Sequence, residues 1–169
     1  KGTPTKLFNA VFDYDAVADG VTNTTTQVQA AIDAAELAGG GTVFLQAGTY
    51  KVTGLTVSGR VKLCGSSDGE TIIYSTTNAK IIDITSASFE MPALENLRIR
   101  GDVTAGSAQH GIYVDDGTGS GGLRTLIRNI WIENCGGAGL KVERAFSCIF
   151  EGIYVTNCAG YPFDYDAAN

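Results

Sequence analysis

The sequence predicts an all-β fold, a right-handed parallel β-helix (a solenoid) with one α-helix near its start. Three observations lead there. Short β-rich runs divided by Gly, Ser or Asp fill the chain from residue 42 onward. Two sets of segments recur along it. A single stretch carries the apolar stripe of a helix.

The helix comes first. Thr24-Thr25-Thr26-Gln27 has the spacing of a capping box, with Thr at the N-cap and Gln three residues on. Val28, Ala31, Ile32 and Ala35 then recur at i, i+3, i+4 and i+7. Gly39-Gly40-Gly41 supplies the left-handed conformation that closes a helix, which predicts a helix over 25–38. No second segment has this pattern.

Strands follow. Thr42-Val43-Phe44-Leu45, Tyr50-Lys51-Val52, Leu55-Thr56-Val57 and Val61-Lys62-Leu63 alternate at period two, and the texture continues through Ile72-Ile73-Tyr74, 80–84, Leu97-Arg98-Ile99 and 111–114. Runs this short suit a sandwich, a barrel or a solenoid, and repetition decides among them. Segment 128–136 lies over 151–159 at an offset of 23 residues, and 95–101 fits 33 residues before the first, the extra length falling in the loop 115–122. A second set comprises 111–115, 139–143 and 162–166. A fixed period with three short strands is one turn of a parallel β-helix, each turn stacking on the last at about 4.8 Å. Asn134 and Asn157 then recur just after a strand and can form a hydrogen-bonded ladder, and Cys135 and Cys158 stack beside them. Ladder packing of reduced thiols is favoured over a disulfide.

Composition bounds the function. The 169 residues include 22 Gly and only three Pro, a balance that fits many tight turns. The net charge of −6 without a basic cluster excludes nucleic acid as a partner and gives no attraction to anionic lipid. No apolar run reaches the ~18 residues of a membrane span. Four cysteines and one histidine in no ligand spacing predict no metal site and no cofactor.

Asp19-Gly20-Val21-Thr22, Gln29 to Ala35, Gly39 to Val43 and Gly48-Thr49-Tyr50 together resemble the opening of the pectate-lyase-like β-helix superfamily. The similarity is strongest to phage tailspikes and depolymerases, with polygalacturonases and exo-glucanases among the relatives. It covers residues 1–60 well and 61–169 in repeat texture only. It implies a helix that caps the solenoid, an extracellular or virion-borne carbohydrate-active protein, and a homotrimer. The polygalacturonase set of Asn-Thr-Asp, Asp-Asp and Gly-His-Gly is absent, with only Asp115-Asp116 present. The chain is expected to be one domain, with an N-terminal cap over 1–48 and turns over 49–169, and to be the N-terminal part of a longer β-helix.

Candidate site residues fall in columns. With Ile112 and Val114 inward, Tyr113 and Asp115 face out, followed by Lys141 and Glu143 and then by Asp164 and Asp166. Asp115, Glu143 and Asp166 are the candidate catalytic carboxylates, at about the 5–10 Å separations that glycoside hydrolysis uses. Like charges so close would raise one pKa and supply a general acid. Glu95, Arg128 and Glu151 form a second column, read first as an ion-pair ladder and otherwise as a uronate-binding set. Trp131 and Tyr154, outward and one turn apart, form with Arg128 and Glu151 the candidate carbohydrate-binding strip. His110 is read as a surface turn residue that could serve as a base. The expected function is a tailspike-type β-helix that binds polysaccharide and could depolymerise it as a lyase or glycoside hydrolase. The alternative is a structural stem or adhesin segment without chemistry.

Overall fold

The computed structural model describes residues 6–67, 69–85, 90–115, 123–145 and 147–165. Strand β1 (Leu7–Asn9) leads into a short helix, α1 (Ala10–Tyr14), and strand β2 (Asp19–Asn23) into the main helix, α2 (Thr25–Leu37). The remaining elements are all strands. They are β3 (Gly41–Leu45), β4 (Gly48–Lys51), β5 (Leu55–Val57), β6 (Val61–Gly65), β7 (Thr71–Tyr74) and β8 (Ile82–Thr85), then β9 (Ala93–Arg100), β10 (Ile112–Asp115), β11 (Arg124–Glu133), β12 (Leu140–Val142), β13 (Ser147–Thr156) and β14 (Phe163–Tyr165).

Every pairing among the described strands is parallel and joins one turn to the next. The smaller sheet stacks β5, β8, β10, β12 and β14 in chain order. The larger sheet begins as two separate stacks, β1-β3-β6 and β2-β4-β7, which merge in β9. The first half of β9 pairs with β6 and its second half with β7. Between them Asn96 takes a left-handed conformation, φ 57°, and bends the strand round a corner. Asn129 and Gly152 repeat the bend on β11 and β13 at φ 52° and 62°. Three faces thus enclose one core, filled by inward residues such as Leu94, Leu97, Ile99, Ile127, Ile130 and Ile132.

The repeat offsets read from sequence are the observed register. Arg128 pairs with Glu151 and Trp131 with Tyr154, 23 residues apart. The same two residues pair with Glu95 and Arg98, 33 residues back. Asn157 Nδ2 donates to Asn134 Oδ1 at 2.6 Å, and both residues are left-handed, so the expected ladder is present. A second ladder, Asn129 Nδ2 to Asn96 Oδ1 at 3.2 Å, holds the corner. Cys135 and Cys158 stack one turn apart as free thiols, donating to Glu133 O and Thr156 O, both at 3.6 Å. The approach of the two sulfurs pulls the Cys158 thiol down to about 7 and pushes the Cys135 thiol up.

Helix α2 buries Val28, Ala31, Ile32 and Ala35, the predicted stripe, and packs on β3, β5 and β6. Its end is the glycine closure expected, with Gly40 N donating to Ala35 O at 2.9 Å. Its start corrects the sequence reading. Thr24 makes no side-chain cap bond; its hydroxyl accepts from Val17 N at 3.0 Å instead, tying down the loop before β2. Asn23 Oδ1 takes up the Thr25 amide at 3.0 Å. The helix α1 corrects it as well. Five residues are too few to show a stripe, and Asn9 caps them by accepting from Val11 N and Phe12 N.

One insertion shapes the surface. Residues 101–111 connect β9 to β10 as a loop pinned from within by Gln109, which is fully buried. Its Oε1 accepts from Asp102 N at 2.8 Å and Gly136 N at 3.2 Å, while Nε2 donates to Ser75 O at 3.1 Å and Thr77 O at 3.0 Å. All four amide hydrogen-bonding positions are used, joining three turns. The loop forms a ridge with a cleft on either side, one reaching Ala108 and His110 and the other Asp102 and Val103.

Candidate functional site on the smaller sheet

Period two puts every second residue of β5, β8, β10, β12 and β14 outside. Their register stacks Thr56, Asp83, Tyr113, Lys141 and Asp164 in one outward column. The inward neighbours Ile82, Ile84, Ile112 and Val114 are fully buried, which fixes the facing of the rest.

Tyr113 is the centre. Although outward, it is only 8 % exposed, because charged side chains lie over it. Lys80 Nζ sits 3.4 Å from the ring centroid, a cation–π contact. The His110 ring stacks on it with centroids 5.9 Å apart. The phenol donates to Glu143 Oε2. Lys141 Nζ bridges Glu143 Oε1 at 3.1 Å and Asp164 Oδ2 at 3.5 Å, and Lys80 reaches Asp83 at 3.1 Å. A cleft of about 440 Å³ opens beside the column, lined by Leu55, Thr56, Lys80, Asp83, Ala108 and His110.

These contacts set the charge states. Burial first, and then the bond to Glu143, push the Tyr113 phenol up, so it stays protonated. The phenol, followed by Lys141, holds Glu143 below the usual carboxylate range. The bond to Glu143 raises Lys141. Burial, reinforced by the charge on Lys141, lowers His110 and keeps it neutral. Ala138 N donates to His110 Nδ1 at 3.0 Å, so the neutral ring carries its proton on Nε2. The face therefore offers two ammonium groups, an imidazole N–H and several ionised carboxylates around a cleft. That set matches sugar hydroxyls and carboxylates.

The carboxylates expected to act together are each taken up by other side chains. Asp115 is held by Arg144 through Nε and Nη2, both at 2.8 Å, while Glu143 bonds Tyr113 and Lys141. The anticipated rise of one carboxylate pKa is reversed at Glu143, because cations and a phenol stand where repulsion was expected. Asp166 and Asp116 lie outside the described residues. Trp131 and Tyr154 lie beyond the corner at Asn129 and Gly152, whereas Arg128 and Glu151 lie before it, so the expected strip is split between two faces of the larger sheet. Arg128 pairs with Glu95 at 2.9 Å and Lys62 approaches the same carboxylate at 3.4 Å, an ion-pair ladder. Sequence reasoning set Lys80, Asp83, Tyr113 and Lys141 aside and read His110 as a turn residue. The signal that could have found them was the outward position of the second repeat set, where Tyr113, Lys141 and Asp164 align.

A solenoid of parallel strands with a polar, aromatic-centred outer face defines a parallel β-helix protein. Over its first half the chain is similar to the pectate-lyase-like parallel β-helix superfamily. A family model described as rhamnogalacturonase A/epimerase, pectate lyase-like matches residues 8–91. Mannuronan C5-epimerase AlgE1 of Azotobacter vinelandii is 48% identical over 71 residues, 37% of this chain and 5% of that protein. The chain thus spans only a small part of the length of such relatives. Among solved structures, the A-module of the Azotobacter vinelandii mannuronan C-5 epimerase AlgE4 superposes with a TM-score of 0.71 at 24% identity, over 95% of this chain and 53% of that one. ORF18 of Geobacillus virus E2 superposes at 0.67 with 21% identity, over 81% and 28%. At these identities the superpositions speak to fold. The family match ends before β9, so of the central residues only Lys80 and Asp83 fall inside it.

Proposed function

We propose that this chain is part of a polysaccharide-processing β-helix that works on the outer face of β8, β10, β12 and β14, with a uronate-containing polymer as substrate. The observation that carries the reading is the in-register column Asp83-Tyr113-Lys141-Asp164 with neutral His110 beside it and a cleft at its edge. Lys80 and Lys141 suit a sugar carboxylate, and the cleft beside the covered Tyr113 ring suits a pyranose. The similarity to a protein named for acting on mannuronan supports the substrate class. In this reading the solenoid is right-handed, as nearly all parallel crossovers are. The whole chain forms one domain, in which α2 closes one end within a cap over 1–48 and residues 49–169 form the turns.

Two further parts of the reading rest on the resemblance. A tailspike-type role, extracellular or on a virion, would use the same face for adhesion and depolymerisation, and would bring three copies together. A structural stem is the second reading, favoured by the mutual pairing of so many surface charges. Incubation with polymannuronate in deuterated water separates them. Deuterium at C5 with intact chains indicates an epimerase, and an ultraviolet rise from unsaturated ends a lyase. New reducing ends without unsaturation indicate a hydrolase, and binding without turnover an adhesin. Turnover or binding that falls at least tenfold in Lys141→Ala is the expected result. A wild-type chain that neither binds nor converts the polymer leaves the stem.

A further inference from the structure

The larger sheet carries a second polar-aromatic face that the column around Tyr113 does not use. On β9, β11 and β13 the register stacks Arg98, Trp131 and Tyr154, and beside them Arg100 and Glu133. Tyr74 of β7 pairs with Arg100. Cations and rings interleave here. The Arg98 guanidinium lies 4.0 Å from the Trp131 ring centroid, and that of Arg100 lies 4.6 Å from the Tyr74 centroid.

The charges on this face are not all paired. Arg98 is matched by Glu133, which it meets through Nε at 2.9 Å and Nη2 at 2.7 Å. Arg100 makes no ion pair among the described residues. It borders a cleft of about 360 Å³ lined by Tyr74, Gly101, Asp102, Val103 and Asn134. The Asp102 carboxylate is turned into its own loop, accepting from Thr104 N at 2.9 Å and Thr104 Oγ1 at 2.7 Å. In a chain of net charge −6, a guanidinium without an ion pair among the described residues, stacked on Tyr74 at a cleft, is a local exception. Tyr154 is 66 % exposed, which leaves its ring open to solvent.

We propose that this face is a second binding strip for an anionic polysaccharide lying along the solenoid axis. Sugar rings rest on Tyr154 and the open edges of Trp131 and Tyr74, and carboxylates meet Arg100. Successive strands place side chains about 4.8 Å apart, so Arg98 to Tyr154 spans about 10 Å and takes more than one sugar ring. The strip rests on the polysaccharide reading above and adds to it a site on a different sheet. It would hold the polymer while the face around Tyr113 meets another part of it, gaining avidity by linkage.

The chain's one tryptophan is Trp131, so its fluorescence reports on this face. The intact chain is titrated with polymannuronate while emission and electrophoretic retardation in a polymer-containing gel are followed in parallel. A saturable emission change is expected, weakened by salt and absent with neutral dextran. Its midpoint should move at least tenfold in Arg100→Ala and in Tyr154→Ala. Arg100→Lys should fall between, which covers any failure of the alanine variant to fold. Retardation without an emission change, or a midpoint indifferent to Arg100 and Tyr154, overturns the strip alone. An equal response to dextran overturns its anionic specificity. Loss of both signals overturns the strip together with the polysaccharide reading.

Discussion

His110 shows how much a side chain's role depends on residues far away in sequence. Read alone it precedes a strand at a loop edge, and nothing local distinguishes it from a solvated turn residue. The fold places Ala138 N on its Nδ1 and Tyr113 against its ring, and brings Lys80 and Lys141 near enough to oppose its protonation. Asp164 and Glu143 push the other way, and burial decides the direction. The folded state therefore binds this proton less readily than the unfolded chain. The contribution to stability is present above the unfolded value of about 6.5 and is lost as pH falls below it toward the depressed folded value. As the chain's one histidine, His110 gives an unambiguous ring-proton NMR titration. Its midpoint should lie below 6.5, and His110→Gln should flatten the fall of melting temperature between pH 6.5 and 5. A midpoint at or above 6.5 would show that the ring is solvated. Tyr113 was equally hidden. Its outward position was legible, but its burial depends on Lys80, His110 and Glu143, which the sequence scatters over 64 positions.

Elements were far more legible than residues, because periodicity is a collective signal. The stripe of α2, its glycine end and the pairing of β9, β11 and β13 all follow from spacing alone. What escaped were choices between local alternatives. Thr24 could cap α2 or hold Val17, and tertiary contact selects the second. The corners of the long strands escaped too, since Asn96 and Asn129 sit inside β-like runs with nothing to mark a left-handed residue. At the corner, Asn129 faces Gly152 one turn on, so glycine and asparagine occupy equivalent places. The corner therefore needs the conformation more than the side chain. Asn129→Gly should fold with little change in stability, whereas Asn129→Ala should lose about 1–2 kcal/mol for the left-handed backbone. Chemical denaturation of the two variants measures the difference. Equal stability would mean that the backbone relaxes at the corner. The candidate site was half legible on the same grounds: its columns could be counted out, but not the partners that take up Asp115 and Glu143.

At the scale of the whole molecule, the first and last described turns differ. Near the start, α2 covers the strands with its apolar stripe. In the last described turn the corresponding surface is bare. Ile149, Phe150, Phe163 and Tyr165 are 58, 40, 56 and 69 % exposed, and Tyr161 is 72 % exposed. Strands β13 and β14 are paired on one side only, which leaves rows of backbone donors and acceptors facing outward. A surface combining unpaired strand edges with large apolar side chains favours association. The 169-residue chain should therefore self-associate through this surface. The acidic net charge resists close approach, so association should strengthen as salt screens it. Light scattering over a range of protein concentrations checks this. The mass should rise above the 17.7 kDa of one chain, and more so in salt. Substituting Phe163 and Tyr165 together with Ser should return it toward that value. A monomer that persists at high concentration in salt would show that the exposed turn tolerates water and that any trimer forms elsewhere.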